Sequence, residues 1–246
     1  MIKTYIVTWN SVVSGLDDIT NQIDNYSIIN SDAPEKEGWH NLGLIWYYNQ
    51  FKYAIDDFIN NTEDETFCFI TGDISSNHFS DIYSKARILL SDDDVWLYSP
   101  HLSNEPWTKD VCFIEHYSNN SYVSCQTEGI FFFMKRELAM KMQDVMDTLS
   151  NSLDLYSMKS GWGVDYVWCT IAKMNNKLAL RDDEYFVHHP EGSSYDHDVA
   201  RYEMSMIIGN FLNTLSGSYI ESALENIKYI DTKQNEKGIK LTNEKI

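Results

Sequence analysis

The sequence predicts an α/β fold: a mostly parallel sheet flanked by helices, with a helical C-terminal region. Three observations predict it. Strand-length apolar runs alternate with helix-period segments through the first hundred residues. The run 67–70 is apolar throughout, as a strand covered on both faces must be. Beyond the first hundred residues the pattern turns irregular and helix-rich, which suits helices gathered at the C-terminal end of the chain.

Residues 3–8 read as a first strand ending at Trp9-Asn10, and residues 26–29 as a second ending at Asn30-Ser31-Asp32. Across 44–59, apolar residues recur at Leu44, Tyr48, Phe51, Ile55 and Phe58, the spacing of one helix face. The strand 67–70 lies between Glu65-Thr66 and Thr71-Gly72-Asp73, and so presents a polar residue at its carboxyl end. A helix over 79–90 and a strand over 95–98 follow, with further strands expected at 111–114 and 129–134. Leu138, Met142, Val145 and Leu149 mark the next helix, and Val164, Val167, Trp168 and Ile171 line one side of another over 164–173. A short last strand, 185–187, runs into His188-His189-Pro190-Glu191. Helices over 199–215 and 219–230 complete the order, and the polar, charge-mixed residues 231–246 are expected to be a disordered tail.

The 246 residues, 43% hydrophobic and 14% aromatic, suffice for one large domain with a substantial core. A formal charge of −18 repels polyanions and argues against a broad grip on nucleic acid. Net charge is a sum and binding is local, so an enzyme acting on DNA is less strongly disfavoured. The cysteines, Cys68, Cys112, Cys125 and Cys169, form no CxxC pair and read as buried free thiols of a reducing compartment. The first ten residues read as a strand rather than a signal segment, and the longest apolar run, 130–134, is far too short to span a bilayer. The cytoplasm is the expected compartment.

In parallel sheets, ligands bind beyond the carboxyl ends of the strands. Asn10, Asp32 and Asp73 each fall at such an end. A carboxylate at the tip of a buried strand, after a glycine that lets backbone come close, can ligate a divalent cation bridging a diphosphate; it can equally cap the next segment. The run Asp92-Asp93-Asp94 follows a helix and precedes a strand, so it belongs to the opposite edge and reads as a solvated loop, as does Asp182-Asp183-Glu184. Gly161-Trp162-Gly163-Val164-Asp165-Tyr166 is a tight loop opening a helix. A carboxylate in that first turn is stabilised as the anion and is available as a base, or it serves only the helix terminus. His188-His189 ends a strand; one of the two can join a metal shell begun by Asp73, or act structurally. There is no HExxH, P-loop lysine motif or GxSxG.

This order of elements resembles that of GT-A (Rossmann-like) glycosyltransferases: an apolar strand ending in an acid, a Gly-Trp-Gly-x-Asp loop opening a helix, then a late histidine. The resemblance spans residues 3–200. It sets Thr71-Gly72-Asp73 in place of the family's DxD motif, with Asp73 as its final, metal-binding acid. Thr71 stands where the family has its first Asp, so one carboxylate contact is missing. The resemblance implies a donor site of Asn10, Asp32, Thr71, Gly72 and Asp73, with Trp9-Asn10 and Asp32 near the nucleoside. It implies a metal shell of Asp73 with His188 or His189, holding Mn²⁺ or Mg²⁺. It implies Asp165 as catalytic base, with Trp39, Glu128, Trp162 and Gly163 on the acceptor and sugar side. Thr127-Glu128-Gly129 resembles the acceptor-side strand before the helix that opens at Arg136-Glu137-Leu138. Residues 1–198 then form the catalytic domain, with helices over 199–230 packed on it.

The activity implied is transfer of a sugar from a nucleotide-diphosphate donor, UDP-sugar first, to an acceptor hydroxyl with inversion. The acceptor is a glycan, a lipid-linked glycan or, if the chain is of phage type, a hydroxymethylated DNA base. Two other classes remain open on the residues alone: a metal-dependent phosphoesterase or nucleotidyltransferase using the same acids, and a non-enzymatic viral interaction protein whose aromatics are interface anchors.

Overall fold

The computed structural model describes residues 1–9, 12–13, 16–103, 112–190 and 196–236. They form one sheet of nine strands: β1 (Ile2–Thr8), β2 (Tyr26–Asn30), β3 (His40–Asn41), β4 (Thr66–Thr71), β5 (Val95–Leu102), β6 (Phe113–His116), β7 (Ser121–Ser124), β8 (Phe131–Lys135) and β9 (Leu178–Val187). The spatial order is β3-β2-β1-β4-β8-β5-β9-β7-β6. β3, β2, β1 and β4 run parallel, β8 runs antiparallel between β4 and β5, and β9 is parallel to β5. β7 reverses again beside β9 and pairs with β6.

The described helices are α1 (Leu16–Thr20), α2 (Tyr47–Asn61), α3 (Phe79–Leu89), α4 (Arg136–Ser152), α5 (Val164–Met174), α6 (His197–Thr214) and α7 (Ser218–Glu236). No described helix is long and apolar enough to cross a membrane.

Successive side chains of a strand point to opposite faces, and β4 shows what that requires here. Phe67 and Phe69 join a core beneath α2, α4, α5 and α6, whereas Cys68 and Ile70 join a second core beneath α1 and α3. Both faces are therefore apolar, which is why the run has no alternation. A third, smaller core of Tyr166, Met204, Ile208, Ile227 and Ile230 seats α6 and α7 on α5. All four cysteines are buried thiols.

The elements differ from expectation in instructive places. α2 starts at Tyr47, not residue 44, and Leu44 is exposed. The Ser31 hydroxyl donates to the Ile45 carbonyl (2.6 Å) and accepts from its amide (3.2 Å), which holds this stretch against the end of β2 and delays the helix. The strand expected at 129–134 begins at Phe131. That expected at 111–114 is β6, two residues later, and residue 111 lies outside the described residues. The short strands β3 and β7 and the single-turn α1 were not expected, and α7 continues to Glu236.

The largest correction concerns β9, which runs ten residues rather than three. Asp182, expected in a solvated loop, is wholly buried. It accepts from Lys85 Nζ at 2.7 Å, from the Tyr98 hydroxyl, and from the backbone amides of Glu184 and Tyr185 at 2.8 and 3.2 Å. A carboxylate can stay in a core only when paired and hydrogen-bonded in this way. Asp92, Asp93 and Asp94, by contrast, are exposed before β5, at the edge opposite the end of β4.

Removing the cation from this pair leaves a buried charge unmatched. Lys85→Met is therefore expected to cost about 3–5 kcal/mol. Asp93→Asn, on the exposed run, is expected to stay within about 0.5 kcal/mol of wild type. Urea denaturation of both variants checks the contrast, and equal losses would contradict it.

Candidate active site

The carboxyl end of β4 is built by close backbone contact. The Gly72 amide donates to the Val7 carbonyl of β1 at 2.8 Å. A Cβ on Gly72 would lie 3.0 Å from that oxygen and 3.1 Å from Leu16, so only glycine lets the chain turn here without displacement. The Thr71 amide donates to the Ile130 carbonyl at 2.9 Å, which draws the segment preceding β8, with Glu128 and Gly129, to the same edge. β9 arrives there too: the backbones of Ser75 and His188 exchange two hydrogen bonds of 2.9 Å.

This last pairing separates the two histidines. His188 is exposed, whereas His189 Nε2 lies 3.2 Å from Asp73 Oδ2. Burial acts to raise the Asp73 pKa, but contact with His189 outweighs it and holds the carboxyl below its ordinary range. Asp73 Oδ1 is buried and has no hydrogen-bond partner, and the Thr71 hydroxyl is in the same condition. A buried carboxylate oxygen with a free lone pair beside an imidazole suits a hard divalent cation. No group of three or more His, Cys, Asp or Glu side chains among the described residues could hold a metal. The residues thus fit a cation that takes its other ligands from a diphosphate and water, the habit of Mg²⁺ and similar ions.

The other residues expected on the donor side fall at the ends of β1 and β2. Asp32 is exposed, in a left-handed conformation (φ 54°), and its amide donates to the Gly43 carbonyl at 3.2 Å. Asn10 lies outside the described residues. Trp39 is half-buried beside edge strand β3, under Lys36 and against the α1/α3 core. It is not brought together with Trp162, whose ring packs against the third core and lies 5.5 Å from His197.

Asp165 opens α5, behind a left-handed Gly163 (φ 98°). Its Oδ1 accepts from the Gly163 amide at 3.1 Å, and its Oδ2 accepts from the Gln126 side-chain amide. Burial, and the neighbouring Glu128 charge, push its pKa up to about 6 against the pull of Gln126 and the backbone amides. Glu128 Oε1 pairs with Nη2 of Arg181 at 2.8 Å, and Arg181 is wholly buried. Glu128, Gly163 and Asp165, expected on the acceptor side, are therefore one cluster, joined through Gly129 and Ile130 to the edge that carries Asp73.

Gln126 and Arg181 escaped the sequence reading. Nothing in the sequence marks Gln126, and Arg181 was hidden by the misreading of its strand as a loop.

No family model and no curated protein matches the chain in sequence. Solved structures do match in fold. GalNAc-T7 with UDP, GalNAc and Mn²⁺ aligns over 97% of this chain and 57% of its own, at 10% identity and a TM-score of 0.55. Glucosyl-3-phosphoglycerate synthase from Mycobacterium tuberculosis, with Mn²⁺, UDP-glucose and phosphoglyceric acid, covers 89% and 81% at 11% identity and 0.55. S. aureus TarS, residues 1–349, covers 98% and 75% at 13% identity and 0.54. The chain spans little more than half the length of the GalNAc-T7 structure. These likenesses, with the strand order and the flanking helices, define the class: the chain has the GT-A fold.

The Asp165 environment gives a signed pH dependence. Its carboxyl sits near 6 when folded and near 3.8 when unfolded. The stability of the protonated group is therefore present below about 3.8 and is lost as pH rises through about 6. Relative to Asp165→Asn, wild-type stability is expected to fall by up to roughly 3 kcal/mol between about pH 4 and about pH 7. Chemical denaturation across that range checks it, and a constant difference between the two proteins would contradict it.

Proposed function

We propose that the chain is a glycosyltransferase that moves a sugar from a nucleotide-diphosphate donor, a UDP-sugar in the first instance, to an acceptor hydroxyl. The observation that carries this is the Asp73–His189 pair at the end of β4, on the same sheet edge as a raised-pKa carboxylate, Asp165. The support from comparison is that the GalNAc-T7 and mycobacterial synthase structures, alike in fold, hold UDP or UDP-glucose with Mn²⁺.

In this reading Asp73 and His189 would hold Mn²⁺ or Mg²⁺, which would supply positive charge to offset that building on the departing diphosphate. Asp32, Thr71 and Gly72 line the donor, with Asn10 near the nucleoside. Glu128, Trp162 and Gly163 border the acceptor. Asp165 takes the proton of the acceptor hydroxyl, whose oxygen attacks the anomeric carbon as the bond to the diphosphate oxygen breaks. Direct attack of this kind inverts that carbon. A base near 6 is ionised at neutral pH yet basic enough to accept a proton. The net charge of −18 favours a glycan or lipid-linked glycan over a DNA base as acceptor.

Two measurements test this. Thermal shifts with a panel of nucleotide sugars, with and without Mn²⁺, are expected to show metal-dependent stabilisation of wild type that Asp73→Ala loses. No shift with any member would count against a donor site. Turnover of the stabilising donor over glycan and hydroxymethylated-DNA acceptors is expected to fall about 10²–10⁴-fold in Asp165→Asn, with donor affinity retained. The rate should decline below about pH 6 as Asp165 protonates. Near-normal turnover in Asp165→Asn would remove the base assignment, and phosphate release without any sugar donor would favour a phosphoesterase.

A further inference from the structure

α6 carries a carboxylate where its pattern calls for an apolar side chain. Ala200, Met204, Ile207, Ile208 and Phe211 form its buried stripe, and Glu203 stands among them at 5% exposure. Among the described residues Glu203 has no cationic partner. Its Oε1 accepts from the Lys159 amide at 2.9 Å and its Oε2 from the Ser160 amide at 2.8 Å. Burying an ionised carboxylate is costly, and an apolar residue of similar size would avoid that cost. The carboxylate does what an apolar residue cannot: it fixes two consecutive backbone amides just ahead of Gly161-Trp162-Gly163.

The same loop is gripped from the opposite side by α2. The Tyr48 hydroxyl donates to the Trp162 carbonyl at 2.6 Å, and the Tyr47 hydroxyl donates to the Gly129 carbonyl. The Tyr47 ring fills the space at Gly161, where a Cβ would lie 2.5 Å from the ring. α6 closes the last gap, since a Cβ on Gly163 would lie 3.1 Å from Met204 Cγ and 3.3 Å from its backbone. The next contact along the chain is from the Gly163 amide to Asp165.

We propose that Glu203 is a positioning residue, whose carboxylate locks the Lys159–Gly163 backbone so that Asp165 is presented to the acceptor in a fixed geometry. The part played by Asp165 rests on the transferase reading; the lock itself does not. Glutamate suits this role because it offers one acceptor oxygen to each amide. Glutamine offers a single acceptor, and its own amide would face a backbone N–H.

Glu203→Gln in the full chain tests this through amide hydrogen exchange, the Mn²⁺-dependent affinity for UDP, and UDP release from UDP-glucose. Exchange over residues 155–165 is expected to rise about tenfold, with β1 and β4 unchanged. UDP affinity is expected to stay within about twofold and UDP release to fall about tenfold or more, because a displaced group costs rate rather than donor binding. Unchanged exchange in the loop, or exchange raised throughout the chain with UDP affinity lost, would overturn the proposal. Should Glu203→Gln not fold, Tyr48→Phe removes one hydroxyl from the other side of the loop. It is expected to raise exchange over the same residues alone, and no rise there would also overturn the lock. Faster loop exchange with no nucleotide release by either protein from any member of the nucleotide-sugar panel would refute the transferase reading while leaving the lock in place.

Discussion

The site depends on one contact, the 3.2 Å approach of His189 to Asp73. It joins the end of the central strand β4 to the end of β9, three positions away across the sheet. The two can meet because β9 pairs with β5 to the last residue of both, Leu102↔Val187, and the next residue, His188, bridges to Ser75. Two further backbone contacts shape the same edge. The glycine approach to β1 fixes where Asp73 leaves the sheet, and the antiparallel entry of β8 brings Glu128 and Gly129 alongside.

The acceptor side obeys a different constraint. To act as the proposed base, Asp165 must be ionisable near neutral pH in a buried setting, where opposing effects decide its charge. Burial and Glu128 oppose the anion, whereas Gln126 and the helix-opening amides favour it. Arg181 keeps Glu128 paired without reaching solvent. A carboxylate shifted upward by its neighbours, beside one held in an ion pair, is how a site separates a base from a fixed charge. The loop before Asp165 is held by two elements far apart in sequence, α2 and α6, so the C-terminal helices belong to the site as much as to the core.

Much of this was legible in the sequence, for a physical reason. The run Phe67-Cys-Phe-Ile70 is apolar because both of its faces are covered, so its strand and the polar residues at its tip could be read directly. Strands that break the apolar rule were missed or cut short. β7 is Ser-Tyr-Val-Ser, and β9 carries Arg181, Asp182, Asp183 and Glu184, charges that only long-range partners such as Lys85 and Glu128 make tolerable. The His188-His189 pair was visible, but only the Ser75 bridge decides which ring meets Asp73. Glu203 left one readable trace, a carboxylate on an apolar helical stripe; Gln126 left none.

The most direct test of the account is isothermal calorimetry of UDP binding to the wild-type chain, with Mn²⁺ and with the metal chelated. The account expects Mn²⁺ to tighten UDP binding by at least about tenfold, a coupling of roughly 1.4 kcal/mol, and UDP to tighten Mn²⁺ by the same factor. Equal UDP affinity with and without the metal, or no UDP binding at all, would contradict it.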